Sequence, residues 1–579
     1  MTVLKRLLKM LLPYKFLSIL ALLMIILYTS IDYIIPFILR DTIDKGIYTK
    51  DMETVVRYIL IIAGLTIVRS VFAYLQGFLI ERTGQKIAYD LRNNLYEHIQ
   101  KLSSSFFDKH QTGQIMARMT GDIESVREFL GFGFINLFFC LFNFSVTVGL
   151  YIWVSWRLAL FVIMPVPFLI ILLLLFGKKV HPAWERIREE MGKLTTVIQE
   201  NISGIRVVKA FSREEYEKGK FNESNKRNLK ENLSRAKLES EFFPVMDFLG
   251  GSISLLLICA GGYYVIKGHI SVGTFTALQW FVYGLVWPIR FSGWLVNVMQ
   301  QAIAAAPRIF EILDAEPEVL DLPESVELTN AKGCIVFDNV GYYFPDGQLA
   351  LKNINLTIKP GERVAVVGGT GSGKSTLLGL IPRFFDPSQG SIKINGIDIK
   401  NIKLENLRSH IGIVMQEPFL FSDTIRENIA YGKPDATQDE IEKAAKISKI
   451  HNFIKTLPRG YQTRVGERGI GLSGGQKQRI SIARAILRDP DILLFDEATS
   501  SVDTTTEREI QASLNEIMKG RTSIIIAQRL STIKNVDRIV VMDKGEIVDT
   551  GTHEELIKTN GYYSTIYHLQ FKDQDLFAN

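Results

Sequence analysis

Apolar residues are distributed along this chain in two unlike patterns. Up to about residue 300 they form long runs broken by short polar turns, and beyond it they come in brief stretches between charged segments. A helix needs roughly 20 apolar residues to cross a bilayer. Six runs are that long: 16–39, 55–80, 129–153, 157–177, 242–266 and 273–300. Only Ser155-Trp156-Arg157 separates the third from the fourth, and Lys267-Gly268-His269 the fifth from the sixth, which puts both turns on the outer side. The long stretches 81–128 and 178–241 then face the cytoplasm. They mix charges with apolar residues at helical spacing, as in Ile198, Ile202, Ile205 and Val208, and predict helices that continue the spans beyond the membrane. Each stretch is interrupted once, at Phe107–Gly113 and at Phe211–Glu215. From pattern alone these are surface bends; opposite a soluble domain they become candidate docking elements.

The second half reads differently. A polar linker opens at Asp314-Ala315-Glu316-Pro317-Glu318, and a soluble domain follows from near Cys334. Ile335–Phe337 and Ile354–Ile358 alternate as antiparallel strands do, whereas Arg363–Val367 reads as a buried strand. Further apolar strands at 492–495, 523–526 and 538–542 alternate with helical patterns, which is α/β order. The expected fold is a multidomain membrane protein: a six-helix all-α transmembrane domain (1–310), a linker (311–330) and an α/β P-loop NTPase domain (331–579).

Composition refines this picture in three places. The net charge of +6 is spread around the spans, with Lys5, Arg6, Lys9 and Lys15 before the first, and Lys178, Lys179, Arg186 and Arg188 after the fourth. That is the positive-inside pattern, attracted to anionic lipid, and it matches no nucleic-acid reader. The three cysteines, Cys140, Cys259 and Cys334, have neither disulfide-framework nor zinc spacing. The first apolar run exceeds signal-peptide length, lacks a small-residue cleavage site and is followed by other spans, so it is expected to be a retained first span.

The chemistry lies in the second half. Gly368-Gly369-Thr370-Gly371-Ser372-Gly373-Lys374-Ser375-Thr376 follows a buried strand and opens a helix, the context of a phosphate-binding loop. Gly368, Gly371 and Gly373 let the backbone turn its N–H groups toward phosphates, and the helix adds the positive end of its dipole. Lys374 is suited to the outer phosphates and Ser375 to Mg²⁺. Ile492–Phe495 ends in Asp496-Glu497, which places a carboxylate for Mg²⁺ at 496 and a general base for the attacking water at 497. Ser473 precedes an amphipathic helix containing Gln476, Arg479, Ile480, Ile482 and Ala483, which it can cap while facing a phosphate.

Together these residues resemble a bacterial half-size ATP-binding-cassette (ABC) exporter of the multidrug or lipid type, and the resemblance covers nearly the whole chain. Leu472-Ser473-Gly474-Gly475-Gln476 is similar to the family signature, and Gly466-Glu467-Arg468-Gly469 to the segment before it. The resemblance implies ATP and Mg²⁺ as cofactors. It also implies Gln416 as the Mg²⁺-sensing glutamine, Asp503 in the loop that signals across a dimer, and Phe344 as the adenine-stacking ring. Stacking needs a ring and no hydroxyl, so phenylalanine serves where tyrosine is commoner. Gln528 stands where the family has a histidine on the γ-phosphate. Glutamine donates one hydrogen bond there but carries no charge.

That exchange resembles the degenerate site of heterodimeric exporters, although Glu497 is intact. A second, different half-transporter is therefore the expected partner, ahead of a homodimer, along with membrane lipids and hydrophobic small-molecule cargo and without nucleic acid. The expected activity is ATP-driven export of amphipathic compounds across the cytoplasmic membrane. Its alternatives are a flippase for lipids or lipid-linked glycans and a regulatory subunit with little turnover. Asp32, Asn143, Asp247 and Arg290 are polar positions within the spans, either lining a cavity or pairing between helices. Tyr263, Tyr264, Phe275, Trp280, Phe281, Trp287 and Phe291 enrich the last two spans in aromatics, as a bilayer belt or as an aromatic cavity.

Overall fold

The computed structural model describes residues 3–344, 346–466, 469, 471–496, 504–527, 529–559 and 561–571. They fall into two compact units, Met1–Gln100 with Thr112–Asp314, and Lys101–Gln111 with Ala315–Asn579.

The first unit contains six helices long and apolar enough to span a membrane: Val3–Ile47, Met52–Lys101, Thr112–Ile163, Val166–Ser203, Glu214–Ile266 and Val272–Leu313. The second has 50 residues, about 75 Å at 1.5 Å per residue, and so continues well past a ~30 Å hydrocarbon core. In its most apolar window no residue is buried, a surface suited to lipid. Ser155 interrupts the third run with extended angles (φ −161°, ψ 104°), and its hydroxyl accepts from the Leu158 N–H at 3.4 Å. The interruption lies where the sequence predicts the outer turn. Gly268, at φ +74°, sits in the other predicted turn. The helices are held by Tyr151, whose buried hydroxyl donates to the Leu278 carbonyl at 2.6 Å. The second and third helices also approach closely at Gly84 and Gly131, where a Cβ on Gly131 would lie 3.0 Å from the Gly84 Cα.

The two predicted interruptions differ. Phe211-Ser212-Arg213 separates the short helix Ile205–Ala210 from Glu214–Ile266, and Ser212 has φ +50°. In the other, Phe107–Lys109 is helical, because Ser103 opens the short helix Ser104–Lys109 and the breaks lie on either side of it. This segment belongs to the second unit, where the Ser105 hydroxyl donates to the Glu318 carboxylate.

The second unit is built on two sheets. β1 (Ile335–Tyr343), β2 (Leu349–Ile358), β4 (Gln389–Ile394) and β5 (Ile397–Asp398) form an antiparallel sheet in the order β2-β1-β4-β5. β3 (Arg363–Gly368), β6 (Ile411–Val414), β7 (Ile492–Asp496), β8 (Thr522–Ile526), β9 (Arg538–Asp543) and β10 (Glu546–Gly551) form the other, ordered β10-β9-β3-β8-β7-β6. Its pairs are parallel except β9–β10. Both faces of this sheet are covered, which explains the continuous apolar runs of β3, β7, β8 and β9. Val364, Val366, Leu494, Ile524 and Met542 pack with Ile335, Leu356 and Ile392 of the antiparallel sheet and with Leu377 and Leu378. Alternate residues point the other way: Leu493, Phe495 and Ile525 meet Ile429, Ile441 and Ile482, and Ala365 and Val541 meet Leu556 and Tyr563. The linker is tied down as well: buried Arg383 donates to the Asp386 carboxylate and to the Leu320 carbonyl at 3.3 Å.

Candidate functional site

The register of the parallel sheet sets the site. Val366 of β3, Ile526 of β8 and Asp496 of β7 lie in one row, so the loop leaving β3 and the acid ending β7 emerge at the same sheet edge with one strand between them. The space around the loop requires glycine. A Cβ on Gly368 would lie 2.2 Å from the Met542 carbonyl oxygen, and one on Gly373 (φ +95°) 2.7 Å from that of Ala350. Thr370, Gly371 and Ser375 are exposed, Gly369 and Thr376 half-buried, and Ser372 is buried with a hydroxyl that has no hydrogen-bond partner. Lys374 folds back over the loop, its ammonium donating to the carbonyls of Gly368 (3.0 Å) and Gly369 (2.8 Å). The cation is thus held over a ring of backbone groups that can receive an anion.

The Ser375 hydroxyl lies 3.4 Å from Asp496 Oδ1. A hydroxyl and a carboxylate converging beside a phosphate loop are hard oxygen donors of the kind Mg²⁺ takes, so the residues present fit that ion. Gln416 is exposed just beyond β6, the neighbour of β7. Phe344 lies past the end of β1 with 37% of its surface exposed, and its ring meets Tyr342 edge-on at 5.5 Å. Ser473 caps the helix Gly474–Ile486, whose first turn carries Gly474 and Gly475. The Ser473 hydroxyl accepts from the Gln476 N–H at 3.3 Å, and Gln476 Oε1 accepts from the Ser473 N–H at 2.9 Å. This reciprocal capping box fixes the start of the helix. Glu497, Asp503 and Gln528, together with Glu467 and Arg468, lie outside the described residues.

Residues 351–500 match the family described as ABC transporter, and residues 18–289 that described as ABC transporter transmembrane region. The chain belongs to the ABC transporters. It is 41% identical over 573 residues to the ATP-dependent lipid A-core flippase of Syntrophus aciditrophicus (strain SB), covering 99% of this chain and 95% of that one. It is 36% identical over 584 aligned positions to a putative multidrug export ATP-binding/permease protein of Bacillus subtilis (strain 168), covering 98% and 100%. A bacterial Atm1-family ABC exporter solved with ATP bound superimposes with a TM-score of 0.79 at 29% identity, over 96% of this chain and 98% of that one.

This transporter therefore moves a substrate across the membrane by ATP hydrolysis. It is a multi-pass protein of the cytoplasmic membrane with its ATPase domain in the cytoplasm, and its architecture implies ATP, Mg²⁺ and a dimeric assembly. Mg²⁺ supplies charge neutralisation at the phosphates when bound, and Ser375 and Asp496 are the residues that would hold it.

The transporter's site also includes a residue that sequence reasoning missed. A Cβ on Gly369 would lie 3.5 Å from the Tyr562 hydroxyl. Burial and the neighbouring Asp543 carboxylate push that phenol up from its ordinary value, and a hydrogen bond from the Gly369 backbone pulls it back. Tyr562 thus buttresses the loop from 193 positions away in sequence, and no local signal marks it. Tyr562→Phe is expected to weaken ATP binding about threefold, the size of one net hydrogen bond. Titrating the purified assembly with a fluorescent ATP analogue checks this, and an unchanged affinity refutes the buttress.

The membrane unit contains a chamber of about 710 Å³ whose wall includes Tyr28, Asp32, Arg69, Asn143, Trp280 and Trp287. Arg69 of the second helix makes a two-pronged ion pair with Asp32 of the first, one prong at 3.1 Å. The intramembrane acid at 32 thus both pairs between helices and lines a cavity. Trp280 is exposed, whereas Phe281 is buried.

Proposed function

We propose that this transporter exports amphipathic molecules, taken from the cytoplasmic side and held in the chamber at Asp32 and Arg69, as one half of an assembly with a different half-transporter. The chamber carries the proposal: its volume suits a drug-sized ligand, its rings offer apolar and cation–π contact, and its ion pair offers both signs of charge to a polar head. Lys374 would neutralise the ATP phosphates, with Ser375, Gln416 and Asp496 serving Mg²⁺, Phe344 the adenine, and Glu497 the attacking water. Asp503 and the Ser473–Gln476 segment would act at the subunit interface. Gln528 supports the heterodimer, because a site without the imidazolium contact needs a competent partner. A second reading, flipping of lipids or lipid-linked glycans, is supported by the 41% identical relative named as a lipid A-core flippase.

Inside-out vesicles containing the natively purified assembly separate the two readings. ATP-dependent uptake of a cationic amphipathic dye supports export; movement of labelled lipid between leaflets without dye uptake supports the flippase. Trp280→Ala is the cleaner probe of the chamber, since Phe281→Ala would also lose about 3–5 kcal/mol of core packing. Its expected effect is a loss of dye affinity of about fivefold to tenfold with basal ATPase unchanged. Dye transport identical to wild type would count against this chamber.

A further inference from the structure

A second cavity, of about 670 Å³, lies in the membrane unit and shares no lining residue with the chamber at Arg69. Its walls come from Leu173–Val180, Phe243–Asp247 and Arg290–Val296. These are the last turns of the fourth span, the first turns of the fifth and the later turns of the sixth. With the ATPase domain in the cytoplasm, all three lie toward the inner leaflet, where Lys178 and Lys179 mark the water boundary. The cavity is thus at the depth of inner-leaflet headgroups and upper acyl chains.

The wall is apolar, built from Leu173, Phe176, Phe243, Met246 and Trp294, with three charged side chains set into it: Lys178, Asp247 and Arg290. Asp247 of the fifth helix and Arg290 of the sixth form an ion pair, yet their side chains remain 66% and 42% exposed. A charge set at membrane depth is costly and favours a wet or polar partner. Asp247 engages one terminal nitrogen of Arg290, and a guanidinium has five N–H donors, so a ligand phosphate can bind Arg290 beside Asp247 or in its place. The wall carries one cation in excess of its single acid, which selects an anionic head, and its apolar sides select hydrocarbon.

We propose that this cavity binds an anionic phospholipid of the inner leaflet, its acyl chains against Leu173, Phe176 and Met246 and its phosphate on Arg290, with Lys178 alongside. Asp247 competes with that phosphate for the guanidinium and so sets the affinity. The site needs no nucleotide and no cargo, and its occupancy is independent of the export reading.

Native mass spectrometry of the purified assembly, titrated without nucleotide with phosphatidylglycerol or with phosphatidylcholine of matched chains, tests this. The wild type is expected to favour phosphatidylglycerol about tenfold, the worth of one charge-assisted hydrogen bond. Arg290→Gln should abolish the preference, and Asp247→Asn, by removing the competitor, should strengthen it. Opposite signs from two near-isosteric changes are not produced by simple loss of folding, and the Asp247→Asn arm stands even if Arg290→Gln does not fold. Arg69→Ala, in the other chamber, should leave the preference intact. Equal binding of the two lipids, an Asp247→Asn variant that binds phosphatidylglycerol more weakly, or displacement of the lipid by millimolar inorganic phosphate would each overturn the proposal, the last by showing a plain anion site.

Discussion

Lys374→Met is expected to remove ATP from this chain's own site, lowering nucleotide affinity by about a hundredfold or more, the scale of losing one preorganised donor to a phosphate oxygen. The argument starts from the loop. The carbonyls of Gly368 and Gly369 hold the ammonium over the loop, so the cation is positioned where phosphates would bind. Methionine keeps the apolar stem and loses the charge, leaving those two carbonyls to water. The glycine geometry at 368 and 373 is untouched, so the loop should keep its shape. In the proposed heterodimer the partner's site also hydrolyses ATP, so total phosphate release is the wrong readout. Photolabelling with an azido-ATP, followed by separation of the chains, reads this site alone. Labelling of this chain at wild-type concentrations would refute the role given to Lys374.

What was legible in the sequence follows from where the apolar residues are buried. β3, β7, β8 and β9 are covered on both faces, so their uninterrupted apolar runs announced them, and the phosphate loop and Asp496 came with them. β6 is four residues long with Gly412 inside it, and β4, β5 and β10 mix polar and apolar positions, so pattern alone left them unread. The capping box at Ser473 is a local motif and was readable; Tyr562 at the loop is a distant contact and was not. In the membrane unit the acids and Arg290 stood out within apolar runs, but the partner of Asp32 lies 37 positions away on the next helix. Periodicity locates a helix without saying which helix faces it. Arg383 is the same case in the ATPase domain, an arginine between apolar neighbours whose acceptors include the carbonyls of residues 320, 399 and 400.

Gln528→His is expected to raise ATP turnover at this chain's site about tenfold, and Glu497→Gln to lower it by about a hundredfold or more. The two changes are predicted to be coupled. A neutral glutamine gives the γ-phosphate an ordinary hydrogen bond; a protonated histidine gives a charge-assisted one, stronger by roughly 1.4 kcal/mol. That gain speeds hydrolysis only when water is activated, which is the role proposed for Glu497. In Glu497→Gln, adding Gln528→His should therefore change turnover by less than twofold while still tightening ATP. Single-turnover hydrolysis in the purified assembly, with the partner's ATP site inactivated, measures all four combinations. If Gln528→His accelerates turnover equally with and without Glu497, the residues act independently and the proposed alignment of water fails. If Gln528→His changes nothing while Glu497→Gln stops hydrolysis, glutamine is a full substitute for histidine here, and Gln528 ceases to support a heterodimer.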